Sequence, residues 1–235
     1  MTERAPEELL EAFLRVTEDS IVPLTRKGVA AGSKVFGAAI FDARSSGGDG
    51  NDGPIVPHTV ATNNERASPL LHGEINCIQA FFGVTGGDGG EDHGDNTRGR
   101  PSTKDCLFFA THEPCSLCLS GITWAGFPRI YYLFTYEDSR DLFAIPYDLD
   151  ILGSVFRVPA LGDTPATLAA RPLYNKTNKF FTAASLGELV DRVADPAARA
   201  RWAGEVARVK ALYTALSETY QAGKAAGTAT ASVWK

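Results

Sequence analysis

The chain has no run of eighteen apolar residues, no basic-plus-apolar leader and no internal repeat, and it holds only four cysteines in 235 residues. The first absence argues against a membrane-spanning helix and the second against a secretory segment. Four cysteines without paired spacing do not make a disulfide framework, so a reducing compartment, by default the cytoplasm, is expected. An excess of positive charge is also missing. The net charge of −5 argues against a polyanionic partner, because nucleic-acid binders neutralise phosphates with clustered Lys and Arg. Residues 199–235 are locally different, with six Lys or Arg against two Glu, a pattern that reads as a solvated helix face. What is present is a 44% apolar content, enough at this length to bury a full core in one domain with a short extension.

Periodicity gives the organisation. Residues 7–22 place Leu9, Leu10, Phe13, Leu14, Ile21 and Val22 among charges at helical spacing, an amphipathic first helix. Residues 35–41 (VFGAAIF) read as a buried strand, and the Gly-, Ser- and Asp-rich residues 45–54 as the connection to a second strand over 55–61. A helix is predicted over 70–82, strands over 107–110 and 130–134, and another helix over 115–125. Strand, helix, strand at that spacing implies a parallel crossover. Residues 83–103 are rich in Gly and Asp without an apolar period, a surface excursion that is a candidate lid. Residues 159–172 read as a linker, and 186–222 as two or three helices with an apolar stripe from Leu189 and Val193 through Trp202, Val206 and Val209 to Leu212, Tyr213 and Leu216. The expected division is therefore 1–160 and a helical extension over 161–235, packed on the domain or on a partner.

Two short motifs 43 residues apart carry the chemistry: His72-Gly73-Glu74 and Pro114-Cys115-Ser116-Leu117-Cys118. His72, Cys115 and Cys118 are three zinc-type ligands. Zinc is almost always four-coordinate, so three protein ligands leave a position for water, which separates a catalytic site from a closed structural one. Zinc lowers the pKa of bound water from about 15.7 toward about 7. A carboxylate beside the metal but not ligating it can then move protons, and Glu74 fits that role. On a helix, His72 and Glu74 project about 200° apart, while Cys115 and Cys118 at i, i+3 share one face. A thiolate at a helix N-terminus is favoured by the backbone dipole.

Blander readings exist for each motif alone. His-x-Glu is common by chance, and Cys-x-x-Cys also serves redox pairs and structural zinc sites. Cys77 and Cys106 read as buried small hydrophobes. His112 precedes the cysteine motif and reads as structural, while His58 and His93 sit in loop or strand-edge positions without a motif.

His-x-Glu followed by Pro-Cys-x-x-Cys is the signature of nucleobase zinc deaminases, and over residues 5–160 the chain resembles the cytidine deaminase-like superfamily. The resemblance implies a three-layer α/β/α fold with a mixed sheet of about five strands, and Zn2+ held at the N-termini of two neighbouring helices. It also implies hydrolytic deamination of a free nucleobase, nucleoside or related amino-heterocycle, and a homodimer in which residues 124–134 (WAGFPRIYYLF) are either interface or ordinary core. Gly73 between ligand and acid is similar to fungal-type cytosine deaminases. Phe36-Gly37-Ala38, Glu113-Pro114-Cys115 and the segment Ser120 to Ala125 are similar to bacterial guanine deaminases, where a tryptophan at the Trp124 position lines the base pocket. By the same resemblance Asn63 or Asn64, with Asn63 favoured by the preceding strand, binds the ring. Asp138 or Asp141 supplies a pocket carboxylate, and Glu113 acts through its backbone carbonyl. The long C-terminal region departs from the guanine deaminase pattern, so the ring itself stays open among guanine-like, cytosine-like and amino-triazine types. Two alternatives accompany this reading: tRNA adenosine deamination, and a non-catalytic zinc module closed by a fourth ligand such as His112.

Overall fold

The computed structural model describes residues 4–44, 55–84, 100–230 and 232. Five strands form one mixed sheet: β1 (Gly37–Asp42), β2 (Val56–Thr62), β3 (Cys106–His112), β4 (Arg129–Phe134) and β5 (Thr182–Ser185), in the order β2-β1-β3-β4-β5. β1 is antiparallel to β2 and β3, whereas β3, β4 and β5 run parallel. The parallel pairs need crossovers, and a helix supplies each.

The central strand β3 is buried along its whole length. Its period of two sends Leu107 and Phe109 to one face of the sheet and Phe108 and Ala110 to the other. On the first face they meet Phe13, whose ring stacks on Phe109 at 4.8 Å. That layer is built by α1 (Pro6–Val16), α2 (Val22–Ala30), α8 (Leu186–Asp191), α9 (Pro196–Ala211) and α10 (Thr214–Ala225). On the second face lie α3 (Gly73–Phe81) and α4 (Ser116–Ala125), which contribute Cys77, Phe81, Leu119 and Ile122. The fold is thus a three-layer α/β/α sandwich. Among the described residues no helix is long and apolar enough to cross a membrane.

The structure differs from the sequence reading in several places. The first helix runs on past residue 22 through a π-type turn, Thr17–Ile21, into α2; the Thr17 hydroxyl donates to Phe13 O at 2.7 Å, where the helical ladder is widened. The stretch read as a linker carries α7 (Pro165–Ala169), capped by Thr164, and is fastened by the ion pair of Arg171 with Asp163. The fifth strand lies beyond residue 160, and the apolar stripe of α8 to α10 packs into the same core as Phe13 and Phe109. Within residues 124–134, Phe127, Ile130, Tyr132, Leu133 and Phe134 are core. The connection over 45–54, most of the candidate lid over 83–103, and His93 fall outside the described residues.

After β4 come α5 (Tyr136–Phe143) and α6 (Tyr147–Ile151). Ala144 ends α5 in the left-handed region with φ 54°, and Tyr147, Asp148 and Ile151 of α6 follow in the wall of the pocket described below.

Candidate metal centre and substrate pocket

His72 and Cys115 each occupy the residue immediately before a helix, α3 and α4 respectively, with extended backbone. α3 therefore starts three residues and α4 one residue later than the sequence spacing suggested, so His72 faces Cys115 across a gap instead of lying on the helix surface. His72 Nδ1 stands 3.4 Å from Cys115 Sγ and 3.7 Å from Cys118 Sγ, and the three donor atoms all lie within 4.8 Å of one another. One nitrogen and two sulfurs at that separation would hold a zinc ion, which with three protein ligands would keep a position for water. Two helix N-termini converge there, and their dipoles favour the thiolate form.

Local packing fixes this arrangement. Asn63, buried beyond β2, accepts from Gly73 N at 2.5 Å through its Oδ1 and donates to Glu65 at 3.0 Å through its Nδ2. Its amide thus anchors the first turn of α3. Gly73 is required by close approach: a Cβ there would lie 2.9 Å from both Gly37 Cα and Phe36 O. Glu113, two residues before Cys115, is buried and takes hydrogen bonds from Tyr174 OH at 2.7 Å and Tyr136 N at 3.3 Å, while Tyr136 OH donates to Pro114 O. That network pins the segment leading into Cys115.

Glu74 is 4% exposed, and its Oε2 has no hydrogen-bond partner among the described residues. A buried carboxylate oxygen without a partner is costly unless something else in the site satisfies it. Burial, then the charge of Cys115, pushes its pKa up to about 7, where a carboxylate both takes and gives protons near neutrality. Hydrogen bonding from Cys118 and His72 outweighs burial to hold Cys115 well below the usual thiol range. Burial pushes Cys118 well above it. For His72, burial opposes protonation, but the contact with Cys115 prevails and raises it to about 9. The set is an acid–base cluster poised to exchange protons for a soft dication, which fits zinc.

A cavity of about 300 Å³ opens on the donors, lined by His72, Cys115, Phe36, Leu70, Lys34 and Asp148 among others. This volume is at the small end for ligand sites and suits a single heterocycle. A larger cleft of about 900 Å³, bordered by Glu113, Tyr174 and Arg171, contains none of the three donors.

The structure brings only part of the expected set to this cavity. Phe36 lines it, and Asn63 stands behind it as the anchor of α3. Trp124 does not reach it: the residue is 89% exposed, because it follows the buried Ile122 by two positions, about 200° around α4. Glu113 faces the larger cleft. Asp138 is the N3 residue of α5, closing a capping box with Thr135 and pairing with Lys210 Nζ at 2.7 Å. Asp141 is exposed and pairs with Arg140. The carboxylate in the cavity wall is instead Asp148, in α6, whose pKa burial and the negative charges of Cys115 and Glu74 push up to about 7. Sequence reading missed it because α6 is a five-residue helix placed by the turn at Ala144; the Tyr147-Asp148-Leu149-Asp150 acidic run was the available signal. His112 lies apart from the donor cluster, with Nδ1 on Thr111 Oγ1 at 3.0 Å and its ring stacked on Phe134. Burial holds its pKa well below the usual value, which makes it a neutral core histidine, and it is not part of the His72, Cys115 and Cys118 group.

Residues 49–134 match the family described as the cytidine and deoxycytidylate deaminase zinc-binding region. That segment, 86 of the 235 residues, holds all three donors and Glu74. A guanine deaminase of Bacillus subtilis (strain 168) is 27% identical over 135 residues, 56% of this chain and 68% of that protein. A crystal structure of guanine deaminase from Bacillus subtilis is 25% identical, over 71% of this chain and 85% of that one, with a TM-score of 0.41. A guanine deaminase from Nitrosomonas europaea is 21% identical, over 80% and 81% of the two chains, with a TM-score of 0.36.

Proposed function

We propose that the protein is a zinc-dependent aminohydrolase that removes the amino group of a small heterocycle, a free nucleobase, nucleoside or related ring of guanine-like, cytosine-like or amino-triazine type, and releases ammonia. One observation carries this reading: His72, Cys115 and Cys118 converge at two helix N-termini beside a buried carboxylate oxygen, Glu74 Oε2, that has no hydrogen-bond partner among the described residues. A zinc ion held by those three residues supplies a water acidic enough to attack at neutral pH.

The remaining work falls to the chain's own residues. Glu74 takes a proton from the attacking water and gives it to the ring nitrogen beside the amino-bearing carbon. As the C–O bond forms and the C–N bond breaks, it delivers the second proton to the departing amine, so that water plus ring becomes carbonyl plus ammonia. Phe36 and Leu70 supply apolar wall against the ring faces, and Asp148 accepts from a ring N–H. Confinement in about 300 Å³ excludes bulk water from the reaction.

The test is ammonia release from guanine, cytosine, isocytosine, adenine, amino-triazines and their nucleosides by zinc-loaded protein, beside Glu74→Gln. Turnover of one ring by the wild type alone supports the proposal. Silence of the zinc-loaded wild type on every ring overturns it.

A further inference from the structure

Beyond His72 and Cys115, two charged side chains among the described residues line the cavity, Asp148 and Lys34. Lys34 is 6% exposed, and its partner Glu65 is fully buried. Glu65 grips this one residue twice, accepting from Lys34 N at 2.8 Å and from Lys34 Nζ at 2.5 Å. The Nζ also donates to Ser232 Oγ at 2.7 Å, and Glu65 in turn receives Asn63 Nδ2. Desolvation of two buried charges offsets much of their attraction, and replacing such pairs by apolar residues of similar volume is often neutral for stability. Placed at the wall of a cavity, however, it presents a donor whose direction is fixed before any ligand arrives.

The donor count gives the pair a use. An ammonium has three N–H groups and no acceptor. Glu65 and Ser232 take two, and the third has no partner among the described residues, on a side chain that borders the same cavity as His72 and Cys115. Glu65 keeps the local charge close to neutral, so the third N–H acts as a directed hydrogen-bond donor instead of an attractor of free anions.

We infer that Lys34 is a specificity-determining residue of this pocket: its third N–H donates to a carbonyl oxygen of the bound ring while Asp148 accepts from a ring N–H, which selects amino-heterocycles carrying a lactam. The inference rests on the deaminase reading above for the identity of the ring, but not for the recognition itself. Replacing the carbonyl by an amino group turns an acceptor into a donor facing an ammonium. The analogue then forfeits a charge-assisted hydrogen bond and leaves two donors opposed, the situation in which polar sites discriminate most strongly.

The experiment measures equilibrium binding by zinc-loaded protein carrying Glu74→Gln, so that nothing turns over. The ligand pairs are guanine with 2,6-diaminopurine, and cytosine with 2,4-diaminopyrimidine; each differs by carbonyl against amino. The expected result is at least about ten-fold tighter binding of the carbonyl member of one pair, and collapse of that ratio by a similar factor on adding Lys34→Met with Glu65→Gln. Changing both residues leaves neither charge buried alone, and Lys34→Leu with Glu65→Met, which likewise removes both charges and the donor, reaches the same readout should the first pair of changes impair folding. A ratio retained in these variants, or no preference for the carbonyl member in the parent, overturns the inference. Ammonia release with Glu74 intact is scored separately: its absence alongside a Lys34-dependent ratio would remove the deaminase reading and leave the recognition standing.

Discussion

At the scale of single residues, the site is set by what fits beside the metal donors. Glu74→Gln keeps the size and removes the proton carrier, so kcat should fall by about 10²-fold or more, with zinc content by atomic absorption unchanged. Gly73→Ala should behave differently. Its Cβ would meet backbone atoms at 2.9 Å, so α3 must shift, costing about 1–3 kcal/mol. A Tm lowered by several degrees together with weaker zinc retention is the expected outcome, and an unchanged Tm would count against the close approach. The four chemical residues were legible in the sequence because metal chemistry restricts both type and spacing. Lys34 and Glu65 were not, since they stand 31 positions apart and neither belongs to a local motif; only the fold makes them a pair. Trp124 illustrates the converse, a residue assigned to the pocket by resemblance that helical geometry turns outward.

At the scale of elements, Asp138 is the informative case. Its carboxylate closes the capping box of α5 and pairs with Lys210 on α9, so Asp138→Ala should cost about 1–2 kcal/mol of stability while leaving kcat/KM unchanged. A large loss of activity at unchanged Tm would return the residue to the pocket. Strands β1 to β4 and helices α3 and α4 were readable because they carry bulky apolar residues at clear periods. β5 is four residues of Thr, Ala and Ser, without β-branched alternation, and becomes a strand only because β4 offers it a parallel edge. α6 was hidden for a similar reason: its place depends on the reversal at Ala144, which no periodicity announces. The later helix starts, by three residues for α3 and one for α4, had the largest effect on the site, since they move His72 and Cys115 off the helix surface and onto its threshold.

At the scale of the whole molecule, the core does not respect position 160. β5 completes the sheet, and Leu189, Val209, Tyr213 and Leu216 close the face that holds Phe13 and Phe109. A chain ending at residue 160 should therefore lose its cooperative melting transition and expose apolar surface to a hydrophobic dye. Acid stability offers a second check. Lys34 and its hydrogen bonds outweigh burial and hold Glu65 below its ordinary value of 4.5. A depressed folded-state pKa contributes stability above the unfolded value that is lost as pH falls through the folded one. The Lys34→Met, Glu65→Gln chain should accordingly show a shallower fall of Tm below about pH 4.5 than the parent. The convergence of α3 and α4 on one set of donors has a dynamic consequence. Each helix begins at a metal ligand, so an ion bound there clamps the two ends most prone to fraying. Amide hydrogen exchange in the first turns of both helices should slow together as zinc is titrated in, making occupancy of the centre readable from the backbone of two elements that are 34 residues apart in the chain.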